Sequence, residues 1–63
     1  MYTIGDEVRF NTKTGSYRGK ISRIRFNFLV VFKRREPLYI VRVPLDDGFV
    51  EYKVREKDII AKL

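Results

Sequence analysis

Residues 39–54 read Tyr39-Ile40-Val41-Arg42-Val43-Pro44-Leu45-Asp46-Asp47-Gly48-Phe49-Val50-Glu51-Tyr52-Lys53-Val54, and this stretch decides the fold class. Tyr39 to Val43 is dominated by β-branched and aromatic residues and reads as a strand closed by Pro44. Asp46-Asp47-Gly48 is a hairpin turn, because Asp-Gly suits the positive φ that tight turns need. From Phe49 to Val54 the pattern alternates, with Val50, Tyr52 and Val54 on an inner face and Glu51 and Lys53 on an outer one. Two alternating runs around a tight turn make antiparallel sheet.

The same period extends upstream. Val8 and Phe10 alternate with Glu7, Arg9 and Asn11, giving a first strand, and Thr12-Lys13-Thr14-Gly15-Ser16 is a loop by composition. A second strand starts near Tyr17 and runs to Phe26. Its parity slips, since Ile21 sits in one register while Ile24, Phe26 and Phe28 share the other. A bulge near Ser22 and Arg23 brings all four inward and bends the strand. Gly19 marks close packing or a sharp bend. Downstream, Arg55-Glu56-Lys57-Asp58 is a short 3₁₀ turn before a last strand, Ile59 to Leu63.

Between these lies Phe28-Leu29-Val30-Val31-Phe32, apolar without alternation, followed by Lys33-Arg34-Arg35-Glu36-Pro37 as the tip of a long hairpin. The apolar run has three readings: a buried hairpin, an edge that pairs with a second copy, or a docking segment for another protein. Successive strand side chains point to opposite faces. At least two of these five therefore point away from their own core, and a homodimer or larger symmetric assembly through 28–32 is expected.

Sixty-three residues make one domain with a small core. Cys and His are absent, which removes disulfides and the common zinc sites. No metal or cofactor is expected. Trp and Gln are absent too, and 35% of residues are charged, a weak mark of proteins from hot environments. No stretch approaches the roughly 20 apolar residues that span a bilayer. Met1 to Asp6 lacks the basic-then-apolar order of a secretory signal. A cytoplasmic location is expected.

Net charge is +6, and it is segregated. Arg9, Lys13, Arg18, Lys20, Arg23, Arg25, Lys33, Arg34 and Arg35 fall between residues 8 and 35 with no acid among them. From Glu36 onward acids and bases nearly balance. Such a field attracts polyanions, and arginine suits bidentate phosphate contacts better than lysine does. The competing reading of the same residues is a solvated, solubilising face.

Ile4-Gly5-Asp6-Glu7-Val8-Arg9-Phe10, then Gly15, Gly19-Lys20-Ile21 and Ile24, resembles the opening of KOW and Tudor-like domains. Tyr39-Ile40-Val41, Asp47-Gly48 and Val54…Asp58-Ile59 resemble the rest of such a domain, and only 27–37 departs from its usual hairpin. The resemblance implies an SH3-like antiparallel barrel of five or six strands with a long central hairpin. Barrels of this type bind RNA, DNA, ribosomal surfaces, modified histone tails and other proteins. The framework is also similar to type II dihydrofolate reductases. Where that family has Val-Gln-Ile-Tyr, this chain has Val50-Glu51-Tyr52-Lys53, and a carboxylate there disfavours an anionic substrate. That activity is rejected.

For catalysis the inventory is thin. Without His or Cys the usual base near neutrality and the usual thiol nucleophile are missing. Asp46-Asp47 and Asp6-Glu7 stand where turns and strand entries use carboxylates for backbone reasons. A non-enzymatic, largely sequence-independent nucleic-acid-binding barrel is the leading expectation. Its phosphate contacts are Arg9, Lys13, Arg18, Lys20, Arg23, Arg25 and the tip 33–35. Tyr17 and Tyr39 are the exposed rings, while Phe10, Phe26, Phe49 and Tyr52 belong to the core. The alternative is a protein-interaction module anchored by 28–32, with its basic residues steering it to an acidic partner.

Overall fold

The computed structural model describes the backbone of residues 2–29 and 34–63 and the side chains of residues 2–26 and 36–63. Alternation and turn chemistry give five strands: β1 (Glu7–Thr12), β2 (Gly15–Leu29), β3 (Arg34–Leu45), β4 (Gly48–Arg55) and β5 (Ile59–Lys62). A 3₁₀ turn at Glu56–Asp58 separates the last two. All pairings are antiparallel, in one sheet of order β4-β3-β2-β1-β5. Among the described residues no helix is long and apolar enough to cross a membrane.

β4 and β5 are the two edges of this sheet, yet only Glu56–Asp58 joins them. Four Cα–Cα steps of about 3.8 Å let Arg55 and Ile59 lie at most ~15 Å apart. In a flat sheet, four strand spacings of about 4.8 Å would put those edges ~19 Å apart. The sheet therefore curls and brings its edges toward each other, without hydrogen bonds between β4 and β5. The fold is all-β and barrel-like in its curl.

β2 supplies the bend. Ile21 pairs with Val41 but Arg23 pairs with Ile40, so Ser22 is the extra residue of a bulge. Its hydroxyl donates to the Ile40 carbonyl at 3.2 Å. Ile21 and Ile24 consequently share the inner face, with Ile21 buried and Ile24 packed against the core. The turn before β1 clamps the same point: Gly5 N–H donates to Ile21 O at 2.8 Å, and Ile21 N–H donates to Asp6 O at 2.9 Å. Gly5 has φ +97°, a conformation that L side chains rarely adopt. The Asp6 carboxylate accepts from Thr3 N–H at 3.0 Å. That bond, with Lys62 nearby, holds its pKa below the usual value.

The core inside the curl is Val8, Phe10, Ile21, Tyr39, Val41, Val54 and Ile59. Gly19 is buried beside it, and a Cβ there would run into the Arg42 carbonyl oxygen and lie 2.8 Å from Val41 Cγ1. Backbone cannot yield cheaply, so β2 and β3 cross closely only because residue 19 lacks a side chain. Tyr39 is 0% exposed. It meets the Tyr2 ring edge-on at 5.6 Å, and its hydroxyl donates to Glu56 Oε1 at 2.8 Å. That bond ties β3 to the 3₁₀ turn.

Several expectations need correction. Tyr39 is core, because inner-face parity on β3 falls on Tyr39 and Val41 rather than on Ile40. Phe26 is 51% exposed. It has the inward parity of Ile24, but β1 ends its pairing at Lys20 and β4 at Leu38, so the β2–β3 ribbon runs beyond the core. Phe49, 53% exposed, lies opposite Pro44 on the outer face. Neither proline ends its strand: Pro37 pairs with Phe26 and Pro44 with Phe49. Each stands where β3 has one neighbour, so its missing N–H breaks no ladder. The loop at 12–16 contracts to Lys13–Thr14, since Gly15 already pairs with Thr12. There the Thr12 hydroxyl accepts from Thr14 N–H and donates to Gly15 O. The side chains of Phe28, Leu29, Arg34 and Arg35, and all of Val30, Val31, Phe32 and Lys33, lie outside the described residues. The backbone of Arg34 and Arg35 is strand, paired with Leu29 and Phe28.

Gly19→Ala should lower unfolding stability by about 1–3 kcal/mol through overpacking, read as a shift in denaturation midpoint. An unchanged midpoint would show that β2 and β3 can part freely. A second expectation concerns alkaline pH. Burial first, and then the bond to Glu56, raise the Tyr39 pKa above 10.0. A raised folded pKa contributes stability that is present below the unfolded pKa and lost as pH climbs through the folded one. The stability advantage of wild type over Tyr39→Phe, roughly 0.5–1.5 kcal/mol for one hydrogen bond at neutral pH, should narrow above pH ~10. A constant gap from neutral to strongly alkaline pH would contradict this.

Candidate functional site

Inward parity fixes the outward set. On the convex face, Arg23 lies opposite Ile40, which lies opposite Lys53. One step along, Arg25 lies opposite Leu38, which lies opposite Arg55. In the other direction Lys20 faces Arg42, which faces Glu51. Two apolar residues of β3 thus run between basic residues of β2 and β4. Ile40 is 7% exposed although it points away from the core. Arg23, Arg25, Lys53 and Glu51 surround it in a shallow hollow of about 300 Å³. Their aliphatic stems cover the isoleucine while the charged ends stay in water.

Charge pairing divides the basic residues into two kinds. Arg18 lies 3.7 Å from Glu7, Lys62 3.7 Å from Asp6, and Arg42 Nε donates to Glu51 Oε2 at 2.9 Å. Among the described residues Arg23, Arg25, Lys53 and Arg55 have no ion-pair partner. The one acid at the hollow, Glu51, is held by Arg42. These four cations are therefore available to an outside anion.

The other expected contacts fall elsewhere. Arg9 and Arg18 face each other across β1 and β2, both exposed. Arg18 is separated from Arg25 by the Ser22 bulge and roughly 20 Å of strand. Lys20 is exposed between the two groups. Lys13 is exposed in the β1–β2 turn and, with Tyr52 and Lys53, lines a second hollow of about 460 Å³. Tyr17 is half-buried: its ring stacks on Tyr52 at 5.5 Å, and its hydroxyl lies 3.0 Å from that of Thr14. Tyr17 thus has its stacking partner inside the protein. Asp46 and Asp47 are exposed turn residues, and among the described residues no three acids converge as a metal site.

Sequence reasoning missed Lys53, Arg55 and Phe49, because the basic half of the chain drew attention away from β4. The signal was present in the hairpin. A two-residue turn at Asp46–Asp47 sets Leu45 opposite Gly48, and the register then places Lys53 opposite Ile40. Phe49 projects beside Arg42, whose guanidinium carbon lies 4.3 Å from the ring centroid. A further hollow of about 330 Å³ opens there, lined by Lys20, Ile21, Ser22, Arg42, Pro44 and Phe49.

Comparison with protein families, with curated proteins and with solved structures finds no match to this chain.

Proposed function

We propose that this chain is a non-enzymatic binding module for nucleic acid, contacting phosphates through the convex face of β2 and β4. The observation that carries the reading is the group of cations, Arg23, Arg25, Lys53 and Arg55, that have no ion-pair partner among the described residues and flank Leu38 and Ile40. Four cations without acids to neutralise them make a local positive field, and a chain of phosphates is the anion whose charge spacing fits an extended patch. Arg9, Arg18, Lys20 and Lys13 extend the field along β1, β2 and their turn. The likeness of the Gly5-Asp6 opening to KOW and Tudor-like domains supports the same assignment, since such barrels include RNA and DNA binders. Contacts of this kind are largely indifferent to sequence, because phosphate positions carry no base identity.

Titration against DNA and RNA at several salt concentrations tests the proposal. If each of the four cations neutralises one phosphate, the slope of log K against log salt should be about −3 to −4. Arg23→Glu with Arg25→Glu should weaken binding at every salt concentration and flatten that slope by about 1–2. Binding that ignores salt, or that survives the double reversal, would remove the reading.

A further inference from the structure

The same face holds a second feature that phosphate binding does not require. Phe49 is a large apolar side chain that stands 53% exposed on a strand whose inner-parity residues already supply the core. It is not left to rotate freely. Arg42 lies over its ring at 4.3 Å, and Arg42 is itself fixed by the bond from Nε to Glu51 Oε2 at 2.9 Å. Glu51, Arg42 and Phe49 thus form a chain in which an ion pair holds a guanidinium and the guanidinium holds an exposed ring. Beside that ring lies the open hollow of about 330 Å³ that Pro44, Ile21 and Lys20 also line, at the small end of the range for ligand-sized hollows. β2 stops pairing with β3 at Arg42, so Pro44 and Phe49 lie on a part of the sheet that has no β2 pair beside it.

We infer that Phe49 is a stacking platform for an unpaired nucleobase, and that the preferred ligand of the convex face is single-stranded nucleic acid. This rests on the phosphate-binding reading above and adds the class of ligand. From Pro44, opposite Phe49, to Ile40 is four residues, roughly 13 Å along the strand. A strand whose base lies against Phe49 therefore runs past Lys20 and reaches Arg23 and Lys53 within a few nucleotides. Exposed aromatic rings interleaved with cations are what sequence-tolerant single-strand binding uses, because every base has a π-face. A duplex keeps those faces inside its own stack and can use only the cations.

The experiment compares short oligothymidylate, oligouridylate, an abasic strand of equal length and a duplex, for wild type, Phe49→Leu and Phe49→Trp. Phe49→Leu keeps an apolar side chain and loses the ring. It should weaken single-strand binding roughly tenfold, within the range that stacking supports. Duplex affinity and the salt slope should stay unchanged. On the abasic strand wild type should already have lost that factor, with no further loss from Phe49→Leu. The chain has no Trp, so Phe49→Trp creates a sole indole whose fluorescence should be quenched by both base-bearing single strands. The difference between the thymidylate and uridylate arms reads DNA against RNA. If wild type binds none of the four probes at low salt, the phosphate reading itself fails. If it binds all four with a steep salt slope, while Phe49→Leu changes nothing and Phe49→Trp is unquenched, the phosphate reading stands and the stacking inference falls. Circular dichroism and melting of each variant separate loss of binding from loss of fold.

Discussion

The three residues Glu56–Asp58 connect opposite edges of a five-stranded sheet, and the rest of the molecule answers to that constraint. A connection that short cannot bridge a flat sheet, so the strands must coil. β2, which pairs with both β1 and β3, carries one break in register between Ile21 and Arg23, and β1 carries another against β5 between Arg9 and Phe10. Ser22 provides the extra residue, Gly19 lets β3 pass close by, and the hydrogen bonds of Gly5 and Asp6 to Ile21 hold the bent strand in place. Tyr39 then fastens the turn itself through Glu56. The Gly-Asp opening, the buried glycine and the bulge are one device distributed along the chain.

Coiling also decides what the two faces can do. The concave side takes Val8, Phe10, Ile21, Tyr39, Val41, Val54 and Ile59 as its buried cluster. Among the described residues no second layer covers the convex side, so an apolar residue there is covered by its neighbours' stems or stays in water. Ile40 takes the first course, under Arg23, Arg25 and Lys53, and Phe49 takes the second. Long basic side chains are thus part of the packing of the convex face as well as its charge.

Much of this was readable from residues alone. The period-two runs gave the strands, Asp46-Asp47-Gly48 the hairpin, and the parity slip between Ile21 and Ile24 the bulge. The errors have a common physical origin. Alternation shows that neighbours face opposite ways, but it does not say which way is in. At Tyr39 and Ile40 both residues are apolar, and the choice was settled by contacts with Tyr2 and Glu56 from distant parts of the chain. Phe26 has the right parity and the wrong position, because where β1 and β4 stop pairing is a tertiary fact. The charge pattern misled in the same manner. Segregation along residues 8–35 is real, yet the register carries Lys53 and Arg55 from the balanced half to the side of Arg23 and Arg25.

The placement of these cations works against the fold that displays them. Arg9 stands directly across from Arg18, and Arg23, Arg25, Lys53 and Arg55 share one face without an ion pair among the described residues. Like charges opposed across strands destabilise a sheet, and a chain of this length buries only about 60% of the surface its unfolded form exposes. Glu7 and Glu51 relieve Arg18 and Arg42, and among the described residues no ion pair relieves Arg23, Arg25, Lys53 or Arg55. If the proposed phosphate binding holds, a polyanion laid across that face would neutralise repulsion that folding alone leaves in place, and by binding the folded chain in preference to the unfolded one it would stabilise what it binds. On the proposed reading, stability and binding would be coupled through the same side chains: those that line the hollow at Ile40 hold the charges that a phosphate backbone would discharge.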